Sequence, residues 1–155
     1  MAILLNGRDT EKGHLVFISM HEALIFPEST ADLCVLSAGI TANEWSTWAE
    51  IADDQGTPDT LTSKFAANRG HLSALCVEQA SINDATYMVE IAYGAEKQCI
   101  SPYRLFVADK TDNILQVLKF RGCEIPAGET IYYRGMCSVT DSPTLTVHFR
   151  YFLHP

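Results

Sequence analysis

The chain predicts an all-β fold, an antiparallel β-sandwich of the jelly-roll or immunoglobulin-like kind with eight or nine short strands. Three observations carry this. Apolar and polar residues alternate with period two through most of the second half, turn-forming residues recur at fairly even intervals, and helical periodicity is weak. Alternation of this sort is what half-buried antiparallel strands require, because successive side chains point to opposite faces. Many short, regularly spaced strands are accommodated by a sandwich or a barrel.

Taken in order, residues 1–13 read as an N-terminal arm, with Asn6-Gly7 as a turn signal and Arg8-Asp9-Thr10-Glu11-Lys12 as a charged run, and residues 14–155 as a single sandwich domain. Strands are expected over residues 14–20, 31–38, 44–52 and 71–78. One short helix or turn is expected over residues 59–67, where Leu61 and Phe65 lie four apart behind Pro58-Asp59. Further strands fall over residues 87–93, 103–108 and 114–120, separated by Gly94-Ala95-Glu96-Lys97 and by Asp109-Lys110-Thr111-Asp112-Asn113. In the next stretch Ile131, Tyr133, Cys137 and Val139 alternate with Thr130, Tyr132, Arg134 and Ser138; in the last, Leu145, Val147, Phe149 and Tyr151 alternate with Thr144, Thr146, His148 and Arg150. Between them Thr140-Asp141-Ser142-Pro143 reads as the turn of a hairpin.

Size and composition agree with one domain that builds its own core: 155 residues, 47% of them apolar and 19% charged. Nine glycines and six prolines exclude a collagen-like chain, and the apolar fraction argues against disorder. The net charge of −8 argues against a broad grip on nucleic-acid phosphates. All of the excess lies early, since residues 1–60 hold ten acids against Arg8 and Lys12 while residues 61–155 hold nine of each sign. This acidic region is either a solvated surface or a dock for a basic partner. No apolar run approaches the ~18 residues of a membrane span. Five cysteines, odd in number and far apart, suit buried free thiols and a cytoplasmic site of synthesis.

Local signatures of catalysis are missing: there is no G-x-S-x-G, no Gly-rich phosphate loop and no H-E-x-x-H. The carboxylates of Asp53-Asp54 precede Gln55-Gly56 as in an ordinary acidic turn. His148 and His154 are six residues apart, not the tight pair by which metal sites usually announce themselves. The expectation is therefore no catalytic, cofactor or metal residues.

The aromatic residues are more telling. On a strand, the odd spacing of Trp45 and Trp48 places the indoles on opposite faces, so one points away from its own core unless the 53–68 loop covers it. Tyr132-Tyr133 must likewise split its rings between faces. An outward Trp or Tyr offers a rigid apolar face with one polar handle, suited to a sugar ring or to a pocket on a partner.

The run Tyr87-x-x-Glu90-Ile91-Ala92-Tyr93-Gly94-Ala95, a strand containing Arg104, then Ile125-Pro126-Ala127-Gly128-Glu129-Thr130-Ile131-Tyr132-Tyr133-Arg134, and a closing strand ending in aromatic and His residues, resembles small structural virion proteins of tailed bacteriophages. The resemblance covers residues 43–155 and is to the β-sandwich head-decoration, or cement, type. It implies a non-enzymatic protein made in the host cytoplasm that sits on the capsid surface, binds the major capsid protein lattice and stiffens the head, as a homotrimer. Expected contact residues are Leu4, Leu5, Asn6 and Arg8 in the arm, Trp45 and Trp48 on an early strand, and Tyr132 and Arg134 on an outward face. Two other readings stand beside it. One is a carbohydrate-binding or receptor-binding module of a tail or fibre using Trp45, Trp48 and Tyr132; the other is a cupin-like metalloenzyme using His71 and His148.

Overall fold

The computed structural model describes residues 23–109, 116–120 and 123–154. The arm and the expected strand at residues 14–20 lie outside the described residues. Nine strands and one short helix follow: β1 (Leu24–Phe26), β2 (Cys34–Ser37), β3 (Ala49–Glu50), α1 (Leu61–Lys64), β4 (Gly70–Ala80), β5 (Ala85–Tyr93), β6 (Gln98–Val107), β7 (Gln116–Lys119), β8 (Ile131–Cys137) and β9 (Thr144–Leu153). One sheet runs β1-β9-β4-β7 with β2 also paired to β9; the other runs β3-β8-β5-β6.

The pairing decides between the two sandwich topologies. β2 pairs with β9, β3 with β8, β4 with β7 and β5 with β6, each antiparallel. The chain is thus one long antiparallel ribbon, doubled back at the β5–β6 turn and rolled so that alternate rungs fall in opposite sheets. That arrangement is a jelly roll.

The expected hairpin between β8 and β9 is corrected by this topology. Both strands alternate as predicted, yet they belong to different sheets. Ser138 still donates to the Thr86 carbonyl of β5, at 2.9 Å, whereas the Pro143 carbonyl accepts from Ala38 beside β2, at 2.8 Å, so the link crosses from one sheet to the other. Alternation reports which side chains face inward; it carries no information on which strand is next door.

The inward residues of both sheets share one core: Phe26, Leu36, Leu72, Leu75, Leu145, Val147, Phe149 and Tyr151 from the first, Tyr87, Val89, Ile91, Leu105, Ile131 and Tyr133 from the second. Phe149 and Ile131 are fully buried. β4 departs from strict alternation because register shifts between Leu72 and Ala74 and between Val77 and Gln79 let Ala74 to Val77 all be buried. β1, absent from the sequence expectation, is a three-residue piece laid against β9. Its neighbour Pro27 lacks the N–H that a further rung would need, and the ladder on β9 resumes only at Cys34.

Helix α1 is a single turn. Thr60 caps it by accepting from the Ser63 amide at 3.2 Å. Lys64 at its other end joins Asp59 and, at 2.9 Å, Glu28 of the β1–β2 loop. Beyond it, Gly128 of the Ile125-Pro126-Ala127-Gly128 turn has φ of +78° and donates to the Phe65 carbonyl at 3.0 Å. The residue types of that turn thus have a local cause: the left-handed position calls for glycine.

Candidate functional site

The outer face of the β3-β8-β5-β6 sheet gathers the residues that matter. Along β8 the inward residues Ile131, Tyr133 and Cys137 are buried, and Tyr132, Arg134 and Met136 between them point out. Across the ladder Arg134 stands opposite Glu90, Met136 opposite Met88, and Met88 opposite Arg104 of β6. Phe106, two residues on from Arg104, is 56% exposed.

Residues 44–48 are not a strand; β3 is only Ala49–Glu50. The opposite-face expectation for Trp45 and Trp48 is therefore corrected. Both indoles are half-buried and both flank one side chain, the Arg134 guanidinium, whose central carbon lies 4.7 Å from each ring centroid. A planar, weakly hydrated guanidinium between two π-faces is a favourable cation–π arrangement. Glu90 fixes it from the neighbouring strand: its Oε2 accepts from Nε and from a terminal nitrogen of Arg134, both at 2.6 Å. The Glu90 side chain is 18% exposed and that of Arg134 31%, so the pair is largely shielded from solvent screening.

The loop that carries the tryptophans is itself pinned to β8. Ser46 donates its amide to the Gly135 carbonyl at 2.8 Å and accepts the Gly135 amide on Oγ at 3.0 Å. Gly135 must be glycine there, since a Cβ would stand 2.8 Å from the Ser37 carbonyl oxygen and 3.1 Å from the Ala38 Cα. Beside this cluster Lys97, from the β5–β6 turn, places its ammonium 3.4 Å above the Tyr132 ring and donates to the Gly94 carbonyl at 3.3 Å. Tyr132 and Tyr133 do split between faces: Tyr133 is buried, and its hydroxyl accepts the Ser37 amide at 3.2 Å.

Of the expected contact residues, Trp45, Trp48, Tyr132 and Arg134 thus share one face, while Leu4, Leu5, Asn6 and Arg8 lie outside the described residues. Glu90, Lys97, Met88 and Met136 were not anticipated there. Glu90 sits 44 residues from Arg134 in sequence, and only the strand register brings them together.

The histidines of the cupin-like reading are apart. His71 stands opposite Phe152 and contacts His154, whereas His148 stands opposite Cys76 and bonds Glu78 at 2.6 Å. His148 and Glu78 border a shallow depression of about 360 Å³ with Ile25, Glu28, Asp32 and Leu33. All five cysteines are free thiols; Cys34, Cys76 and Cys137 are buried. Burial, reinforced by Asp53, Asp54 and Glu78, pushes the Cys34 thiol up to about 12, which keeps it protonated and unreactive. Among the described residues no three His, Cys, Asp or Glu side chains form a metal-binding group, and no helix is long and apolar enough to cross a membrane.

Compared with family models and with curated proteins, the sequence matches none.

Proposed function

We propose that the chain is a non-enzymatic structural protein of a tailed-phage particle, a decorating protein that sits on the capsid surface as a homotrimer, and that the outer face of the β3-β8-β5-β6 sheet is its contact with the capsid lattice. The observation that carries this is the Trp45–Arg134–Trp48 stack held by Glu90. Trp, Tyr and Arg are the residues that dominate binding at protein interfaces, and their energy is greatest when the side chains are already ordered before contact. The partly exposed Met88, Met136 and Phe106 on the same face add adaptable apolar surface. Jelly rolls occur among viral capsid and lectin domains, and the resemblance of residues 43–155 to head-decoration proteins points to the former. Affinity per copy need not be high, because a symmetric oligomer on a lattice binds through several sites at once.

The carbohydrate-platform alternative fits the geometry less well. A sugar ring stacks on an open aromatic face, whereas one face of Trp45 and of Trp48 is taken by Arg134 and one face of Tyr132 by Lys97.

The test is light scattering of the purified chain followed by co-sedimentation with empty phage heads that lack decorating protein. A discrete trimer that pellets with heads, and an Arg134→Ala variant that stays folded but remains in the supernatant, are the expected results. A monomer that ignores heads overturns the proposal, and a glycan array then tests the sugar-binding alternative.

A further inference from the structure

At the far end of the first sheet, β4 and β9 run side by side with His71 opposite Phe152 and Gly70 opposite Leu153. The ladder continues one step beyond β9, where the His154 amide donates to the Arg69 carbonyl at 2.8 Å. This places His154 diagonally across from His71. The two imidazole rings lie 5.2 Å apart between centroids, and His71 Nδ1 is 3.1 Å from His154 Nε2. His71 also packs against the Phe152 ring, with centroids 5.2 Å apart.

We propose that His71 and His154 form a binding site for a borderline transition-metal ion of the Zn²⁺, Ni²⁺ or Cu²⁺ class. Metal–imidazole bonds of about 2.0–2.1 Å meeting at an angle between a right angle and a tetrahedral one separate two ligand nitrogens by roughly 2.9–3.4 Å. The observed separation falls inside that window. In the metal-free chain one N–H lies between the two nitrogens. When the ion enters, His71 carries its single proton on Nε2, so both rings remain neutral and each presents a lone pair to the same point.

The surroundings suit an open site. His154, though not His71, lines a shallow depression of about 460 Å³ with Asn68, Arg69, Glu124 and Pro126, so the site opens on the His154 side, where an ion with two protein donors would keep its water ligands. Arg69, on the same wall, is paired with Glu124 at 3.4 Å, so the nearby cation is already compensated. Imidazole nitrogens select zinc, copper and nickel over calcium or magnesium, which prefer oxygen. Both histidines are positioned by backbone hydrogen bonds of a paired ladder, so little ordering is needed on binding. Sequence spacing concealed the site, because the partner of His154 is 83 residues away and not the nearby His148.

The experiment is equilibrium dialysis of the full chain against Zn²⁺ and, separately, Ni²⁺, with chain and metal quantified together. Expected are one ion per chain and a fall in affinity of about tenfold or more in His71→Ala and in His154→Ala, as each removes one of two protein donors. His148→Ala, which alters the imidazole bonded to Glu78, should bind as the unmodified chain does. Since a variant could fold poorly, the unmodified chain is also titrated with Cu²⁺ while its histidine ring proton resonances are followed; those of His71 and His154 should broaden first. Absence of uptake, uptake that survives both substitutions, or broadening that begins at other histidines overturns the proposal.

Discussion

Tyr103 donates its hydroxyl to the Lys119 carbonyl at 2.8 Å, a bond from the edge strand of one sheet to the edge strand of the other. Phe120 meets the Tyr103 ring edge-on, with centroids 5.1 Å apart, so the same side chain closes this flank of the sandwich by packing as well. Burial pushes the Tyr103 phenol above its ordinary pKa, which keeps the donor proton in place. Tyr103→Phe retains the ring and removes the bond. It should cost about 0.5–1.5 kcal/mol in urea denaturation. An unchanged midpoint would show that the carbonyl is equally well served by water.

Arg134→Lys keeps the charge and discards the plane. The ammonium cannot stack on two indoles at once and cannot offer Glu90 a second donor from a fixed fork. The expected loss is about 1–2 kcal/mol, accompanied by a change in near-ultraviolet dichroism from the released tryptophans. A variant with wild-type stability and spectrum would show that the stack is not a fixed feature in solution.

Phe149 is fully buried at the centre of the first sheet, opposite Phe26 on one side and Leu75 on the other. Phe149→Ala leaves a cavity walled by both sheets and should destabilise the chain by about 3–5 kcal/mol. A melting temperature equal to that of the unmodified chain would mean that the inward face of β9 has been misassigned.

Asp59 is held below the usual carboxylate range by its bonds to Lys64 and Ser63. For Lys64, burial opposes the charge but the Asp59 and Glu28 carboxylates outweigh it, and the ammonium ends above its ordinary pKa. A depressed carboxyl contributes stability that is present above its unfolded pKa of about 3.9 and is lost as pH falls through the lower folded value. Lys64→Met removes the main cause of the depression. The fall in denaturation midpoint below about pH 4 should therefore be shallower in the variant; parallel curves would sink the assignment.

How much of this could be read from the residues varies with what each feature depends on. β5, β8 and β9 were legible, because burial of one face forces an alternation that Tyr87, Val89 and Ile91, or Leu145, Val147 and Phe149, display openly, whereas β6 was read only from Tyr103 although it begins at Gln98. β1 was not, since Leu24-Ile25-Phe26 is too short a run to show any period. The single face shared by Trp45 and Trp48 depends on a loop conformation set by Ser46 and Gly135, and no strand rule applies to it. Arg134 was legible as an outward residue. Its partner Glu90 was not, because register is a property of two strands and periodicity describes only one.

The rolled ribbon also dictates the order in which the protein can fold during synthesis. β9 lies between β4 on one side and β1 and β2 on the other, so it is the strand to which most of the first sheet is attached. Until β9 is available, the edges of β1, β2 and β4 that pair with it have no mate, although the β4–β7 pair and the whole β3-β8-β5-β6 sheet can already have formed. The first sheet is consequently closed only by the last strand to be made, and its open strand edges persist until then. A chain that lacks residues 144–153 would keep those edges exposed to proteases and chaperones, while the full chain would not.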